Sequence, residues 1–383
     1  MKQKRQPDWD PRASVVQRDQ RAAYDEMRRR CPVAWSDYQG WSLFRHADVL
    51  RVLHDHDSFS NAVSRHISVP NGMDPPEHGP YRAMIEPYFF PERIRAFEPR
   101  VRDITRALLA KIREDETEVM ADLALPFAAR AQCKFLGWPS TYADRLINWN
   151  HRNHAATLAA DRPAMARIAV DFRAMVDELL DARQDAPPES DLTAALMHER
   201  VNGQPLDREA ITSLLRNWTV GEVGTISASV GILVDVLIQE AGLLSWLKRS
   251  PAHIPMAVDE VLRRHGPLGA NRRVATRDVE LGGRLIRKGE RLSLNWVAAN
   301  RDPEAHKAPD ELCFDRSPAD NLLYGAGIHV CPGAGLARME LRVFMESLLT
   351  QIKDLQPARR GQAELAVFPA SGFARLPVSI RMT

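Results

Sequence analysis

The chain has 383 residues, 44% of them apolar, and its 52 Lys and Arg nearly balance 50 Asp and Glu. A net charge of +2 without a basic block gives no support to nucleic-acid binding. Cys31, Cys133, Cys313 and Cys331 have neither C-x-x-C spacing nor the density of a disulfide framework, which argues against a zinc site and fits a reducing cytoplasm. Length alone suggests about two or three domains. No Pro/Gly/Ser-rich linker or low-complexity tract divides the chain, so one domain over 1–383 is expected, large enough to bury a substantial core.

Met1 to Arg30 is highly charged and holds neither a signal-peptide core nor a membrane anchor. In Asp74-Pro-Pro-Glu-His-Gly-Pro-Tyr-Arg82, a helix would carry Pro80 in its first turn, where the missing N–H costs nothing. Val101, Ile104, Leu108, Leu109 and Ile112 have the spacing of an amphipathic helix. Ile168, Phe172, Met175, Val176, Leu179 and Leu180 mark another after Pro163, and Asp185-Ala-Pro-Pro-Glu-Ser190 breaks the pattern. His54 with His56, and His151 with His154, lack the carboxylate or cysteine partners of a metal site. A long helix is expected from near Asp207 through Ile211, Leu214, Leu215 and Trp218 to Ile238, apolar enough to cross the core. Its longest uncharged apolar-rich run, Val223 to Val234, is too short to span a bilayer.

Glu260 and Arg263 share a face of the next helical segment, and such a pair on a solvated helix is worth only about 0.2–0.5 kcal/mol. Val279, Leu281, Leu285, Leu292 and Leu294, set around Gly282-Gly283 and Arg287–Glu290, fit short antiparallel strands. The fold class is therefore mainly α with small antiparallel β-sheets. The last motif is Tyr324-Gly-Ala-Gly-Ile-His-Val-Cys-Pro-Gly333. A thiolate that binds a bulky metal cofactor needs close backbone approach, and glycine removes the side chain that would obstruct it. Cys331 is the best ligand candidate.

This motif resembles the haem-binding loop of the cytochrome P-450 family, an aromatic residue followed by Gly-x-Gly-x-His/Arg-x-Cys-x-Gly. The resemblance implies haem b (iron protoporphyrin IX), held between a long core helix and the cysteine loop. Its iron would be bound by the Cys331 thiolate, a ligation that favours cleavage of a bound O–O bond. Gly325 and Gly333 match the loop's glycines and His329 a propionate contact. Tyr324 stands where Phe is usual, and its hydroxyl needs a partner. Arg272-Arg-Val-Ala-Thr, Leu281-Gly-Gly283 and Ala298-Ala-Asn-Arg-Asp-Pro303 follow Glu260-x-x-Arg263 in the family's order. By resemblance, Glu260, Arg263 and Arg316 form a buried ion network behind the haem. His78 and Arg82 would reach one propionate and Arg273 the other, since arginine offers a planar fork of donors. The likeness runs from about Asp10 to the C-terminus.

The long helix departs from the family. Most oxygen-activating members carry an acid and then a threonine where this helix passes the haem, and the two relay protons. Aligned on Gly221, those places hold Val223 and Gly224. Glu222 and Thr225, three apart on the helix, are the expected substitute relay, with Gly221 and Gly224 leaving room for water or dioxygen. Residues Arg216 to Ile226, His265-Gly-Pro-Leu and Asn295-Trp296 resemble a bacterial subgroup of reductase-fused haem domains and stand-alone aryl-ether demethylases. Thr383 follows soon after the haem region, so no fused reductase is expected. Electrons would come from a ferredoxin-type iron–sulfur protein and a flavin reductase, with Arg338 a candidate to receive an acidic partner.

Family topology places Val220, Leu268, Asn271, Ser371 and Phe373 at the pocket, an apolar wall with a few orienting groups. The activity implied is a cytoplasmic monooxygenase that takes two electrons and dioxygen and inserts one oxygen atom into a small, mostly apolar organic substrate. Hydroxylation and O-demethylation both fit. Two alternatives stay open, a peroxide-driven haem-thiolate enzyme and a catalytically silent haem-thiolate partner protein. No nucleic-acid or membrane partner is expected.

Overall fold

Apolar residues on every side, not along one stripe, decide where the long helix goes. Arg208–Gln239 is continuous over 32 residues and starts at Asp207, whose carboxylate accepts from Ala210 N at 2.7 Å. Ile226 through Val234 are all buried, as a helix without a polar face must be. By length and hydropathy the helix suffices for a membrane span, which the Val223–Val234 run alone did not suggest. In this fold it runs through protein, with 72% of its most apolar window buried. Ser227 and Ser229 are tolerated there because each hydroxyl donates to a carbonyl four residues back, Val223 O at 2.6 Å and Thr225 O at 2.8 Å.

The structure, a computed structural model, describes residues 5–64, 66–112, 117–368 and 370–383. Helices Pro91–Leu109, Leu125–Leu136, Ile254–His265 and Ala334–Gln351 pack around the core helix. They share a cluster that includes Val101, Leu108, Phe127, Val230, Leu233, Val261, Phe344 and Leu348. Val101, Leu108 and Leu109 are the buried stripe of Pro91–Leu109, which ends before Ile112. Pro163 is the second residue of Arg162–Asp181, where a proline is compatible with the first turn. That helix and Tyr142–Ala159 build a second cluster with Trp149, Phe172 and Leu214 against the start of the core helix.

The β-structure lies to one side. Its largest sheet orders Val33–Ser36, Gly40–Leu43, Arg291–Asn295, Ala270–Ala275 and Phe59–Ser60. One pairing departs from the antiparallel expectation: Leu292–Leu294 run parallel to Trp41–Leu43, which is possible because a long helical crossover separates them in sequence. Val279–Leu281 and Arg284–Ile286 pair as the alternation predicts. This sheet holds Arg273 in register with Leu292. The core helix, the strand that carries Arg273 and the start of Ala334–Gln351 thus come together near the segment that holds His329 and Cys331.

Candidate active site

The cysteine loop is a series of tight turns. Leu322–Tyr324 and Gly327–His329 each form a 3-10 turn, and Cys331 N donates to Tyr324 O at 2.9 Å, closing the loop. Gly325 and Gly327 have φ of +74° and +69°, a region that penalises other residues. A Cβ on Gly327 would also lie 2.3 Å from Leu53 O. Both glycines therefore answer to backbone conformation, and Gly327 to the approach of Leu53 as well. Gly333 differs: an added Cβ there would lie 3.9 Å from Cys331 Sγ, in ordinary contact.

Gly333 caps Ala334–Gln351, so the sulfur lies just ahead of a helix N-terminus, where negative charge is favoured. Burial pushes the Cys331 thiol up, while the Gly333 amide, Arg82 and Arg338 act in the opposite direction. Cys331 is nonetheless surface-accessible. Both observations hold for a side chain on the wall of an internal cavity, ringed by protein yet open to a space. A bound cation in that space would reverse the thiol's preference.

Four nitrogen-bearing side chains gather on one side of this space. The His78 and His329 rings sit 4.3 Å apart, edge to face. Arg82 Nη1 donates to Val330 O at 2.6 Å, beside Cys331, and Arg82 Nε donates to Glu86 at 3.0 Å. Arg273 is buried, and the hydrogen bond its guanidinium makes goes to the Arg272 carbonyl. Burial pushes Arg273 down to about 10 against the opposing pull of Asp74. His329 falls to about 3 through burial, His78 and Arg273, and its Nε2 has no partner. Burying an arginine such as Arg273 without a directly bonded counter-charge is costly. The donor set fits iron protoporphyrin IX, with a thiolate for the iron and His78, Arg82, Arg273 and His329 for its two carboxylates.

Behind the loop the acid–base network is complete. Arg263 is 0% exposed; its Nε and Nη2 meet Glu260 Oε2 and Oε1 at 2.8 and 3.0 Å. Arg316 Nε reaches Glu260 Oε1 at 3.2 Å and the Cys313 amide donates to the same oxygen at 3.0 Å. Arg263 also ties down the carbonyls of Asn300 and Pro309. Burial pushes the Glu260 carboxyl up, but Arg263, the Cys313 amide and Arg316 outweigh it and hold it below the usual range. The Tyr324 hydroxyl finds no partner. Its ring instead lies 4.4 Å from the Arg338 guanidinium, which is itself paired with Asp259 at 2.8 Å, so the charge of Arg338 is largely satisfied within the chain.

The core helix widens where the sequence is unusual. Val220–Gly224 form a π turn, a feature common at functional sites. The extra residue changes the phase of the helix between Glu222 and Thr225. Glu222 is buried against Glu340 of Ala334–Gln351, with no cation beside it among the described residues. Burial pushes Glu222 up to about 7, and burial together with the neighbouring Glu222 pushes Glu340 well above the usual carboxylate range. Gly221 opens on space, since an added Cβ would meet no atom within 4 Å, while one on Gly224 would face Asn150 Oδ1 at 3.4 Å and His154 Nε2 at 3.7 Å. Val220, Leu268 and Val330 stay 45%, 37% and 39% exposed.

The remaining pocket candidates divide. Asn271 is exposed on the strand that carries Arg273. The Ser371 hydroxyl is committed to Gly266 O at 2.6 Å, which leaves it only as an acceptor. Phe373 lies beside Gly231 in the main core. Sequence reasoning missed Asn150, Val330 and above all Glu340. The signal for Glu340 was present: it falls on the same stripe as Leu336 and Phe344, where a charged residue is out of place.

Known proteins resemble the chain over most of its length. A family model described as cytochrome P450 matches residues 253–377. The erythromycin C-12 hydroxylase of Saccharopolyspora erythraea is 33% identical over 85% of this chain and 85% of its own. The nocardicin C N-oxygenase of Nocardia uniformis subsp. tsuyamanensis is 33% identical over 90% and 89%. The solved structure of cytochrome P450 CYP109Q5 from Chondromyces apiculatus superposes with a TM-score of 0.88, 26% identity and 98% coverage of both chains.

Proposed function

The chain belongs to the cytochrome P450 family and is a haem-dependent monooxygenase, and we propose that it oxidises a small, mostly apolar organic molecule with protons delivered through Glu222. When bound, the haem supplies the activation of dioxygen and the insertion of one oxygen atom. Cys331 Sγ would hold its iron, and His78, Arg82, Arg273 and His329 its carboxylates. Val220, Leu268 and Val330 exclude water and seat the apolar part of the substrate; Asn271 orients a polar group. The observation that carries the proton role is Glu222 itself, buried at a π turn beside open space, with its carboxyl moved to about 7 by burial. A group that titrates near neutrality can both give and regain a proton.

Electrons would arrive from a separate ferredoxin-type iron–sulfur protein and flavin reductase. Residues 1–383 would act as one catalytic domain, a reading supported by the sheet that joins strands from residues 33–60 to strands from 270–295. A cytoplasmic location is supported by four free cysteines. The test is a spectral binding screen of small aromatics, terpenes and fatty acids on the haem-loaded protein. The ligand giving the largest spin-state change is then incubated with NADPH and surrogate redox partners. Glu222→Gln is expected to lower product per NADPH and raise peroxide release; unchanged coupling would remove Glu222 from the relay. Turnover with peroxide alone, and none with NADPH, would instead support a peroxide-driven enzyme.

A further inference from the structure

Glu340 lies between Met339 and Leu341 on the helix that follows Cys331, and it is fully buried. Among the described residues no N–H or O–H donates to either of its carboxyl oxygens or to Glu222 Oε1. The two side chains reach each other across the gap between the π turn and Ala334–Gln351, close enough to share a hydrogen. No Arg, Lys or His among the described residues acts on either of them. The other titratable groups within their influence are Tyr324, on which Glu340 acts, and Cys331, on which Glu222 acts.

Two neighbouring carboxylates cannot both ionise in a dry interior. One O–H between them removes a charge and supplies the missing donor at once. Burial decides which carboxyl retains it. Glu340 is 0% exposed, whereas Glu222 is 8% exposed and sits beside Val220 and Gly221, which face open space.

We propose that Glu340 keeps its hydrogen and donates it to the carboxylate of Glu222, as the positioning residue that makes Glu222 the proton donor of the cavity. This rests on the reading of Glu222 as the relay acid and names the group that controls its charge. In the loaded state both carboxyls are protonated. Glu222 passes its hydrogen to a cavity water, the negative charge left on Glu222 is held by the Glu340 O–H, and a proton from solvent restores the pair.

The experiment is a pH titration of the haem-loaded ferric protein followed by infrared difference spectroscopy of protonated carboxyl groups. The wild type is expected to show one band that titrates near neutrality and is lost in Glu222→Gln, and one that persists to higher pH and is lost in Glu340→Gln. Because glutamine still offers an N–H, Glu340→Gln leaves the titrating band near its original midpoint. Glu340→Leu removes the donor and moves that midpoint upward by roughly one to two pH units. An unmoved midpoint in Glu340→Leu, or a persistent band that survives Glu340→Gln, overturns the proposal. Should Glu340→Leu fail to fold, the band lost or kept in Glu340→Gln decides it. Peroxide release separates this inference from the relay itself: a shifted midpoint with unchanged coupling in Glu222→Gln keeps the pair and discards the relay, and the converse discards the pair.

Discussion

Glu260 and Glu222 are both buried glutamates on helices that flank the same site, and their surroundings are opposite. Glu260 receives Arg263, Arg316 and a backbone amide, and its carboxyl is held below the usual range. Glu222 receives only another acid and is pushed up. A buried charge that is fully paired can serve as a fixed structural part, because removing one partner strands the other. A buried acid without a cation stays near the balance between its two protonation states, which suits proton transfer and costs stability. The same residue type thus stands in two opposite settings, one paired with cations and one beside a second acid.

The comparison is broken most severely by Arg263→Ala. Glu260 would keep Arg316 and the Cys313 amide but lose its bidentate partner, and the carbonyls of Asn300 and Pro309 would lose a donor. A loss of about 3 to 5 kcal/mol is expected, measured by chemical denaturation of the haem-loaded protein, together with poor haem incorporation. A mutant of wild-type stability would show that the network is not structural.

The double substitution Glu222→Gln with Glu340→Gln should act in the opposite sense and depend on pH. With its carboxyl raised, folded Glu222 binds more proton than the unfolded chain between the ordinary glutamate range and about pH 7. Stability from that difference is present at low pH and lost as pH rises through about 7. Removing the two raised acids should therefore stabilise the protein more above pH 8 than at pH 5, read from denaturation midpoints at the two pH values. A pH-independent difference would contradict the assignment.

The smallest effect expected is that of Tyr324→Phe. The tyrosine hydroxyl is buried without a partner, so removing it should be neutral or stabilising by up to about 1 kcal/mol. The stacking of Arg338 on the ring should survive. A loss of 2 kcal/mol or more in thermal or chemical unfolding would mean that the hydroxyl is satisfied in the haem-loaded protein.

Much of this was legible in the sequence where one signal repeated along a helix or a loop. Asp207 announced the start of the core helix, Pro163 and Pro80 fell in first turns, and Glu260, Arg263 and Arg316 came together as the motif order implied. The cluster of His78, Arg82, Arg273 and His329 was likewise readable residue by residue. What escaped reading depended on phase and on distant pairing. A π turn inserts a residue without any change in composition, so the neighbourhood of Glu222 and Glu340 was not readable from spacing. The commitment of the Ser371 hydroxyl to Gly266 O, and the parallel pairing of Leu292–Leu294 with Trp41–Leu43, both join residues far apart in the chain.

Everything at this site depends on the Cys331 sulfur. The direct measurement is the absorption spectrum of the reduced, carbon monoxide-treated protein, with Cys331→His prepared in parallel. The expected result is a strongly red-shifted Soret band for the wild type, typical of a thiolate opposite carbon monoxide, and its loss in Cys331→His. A wild-type band at the position given by the histidine variant would contradict the assignment of Cys331 as the iron ligand.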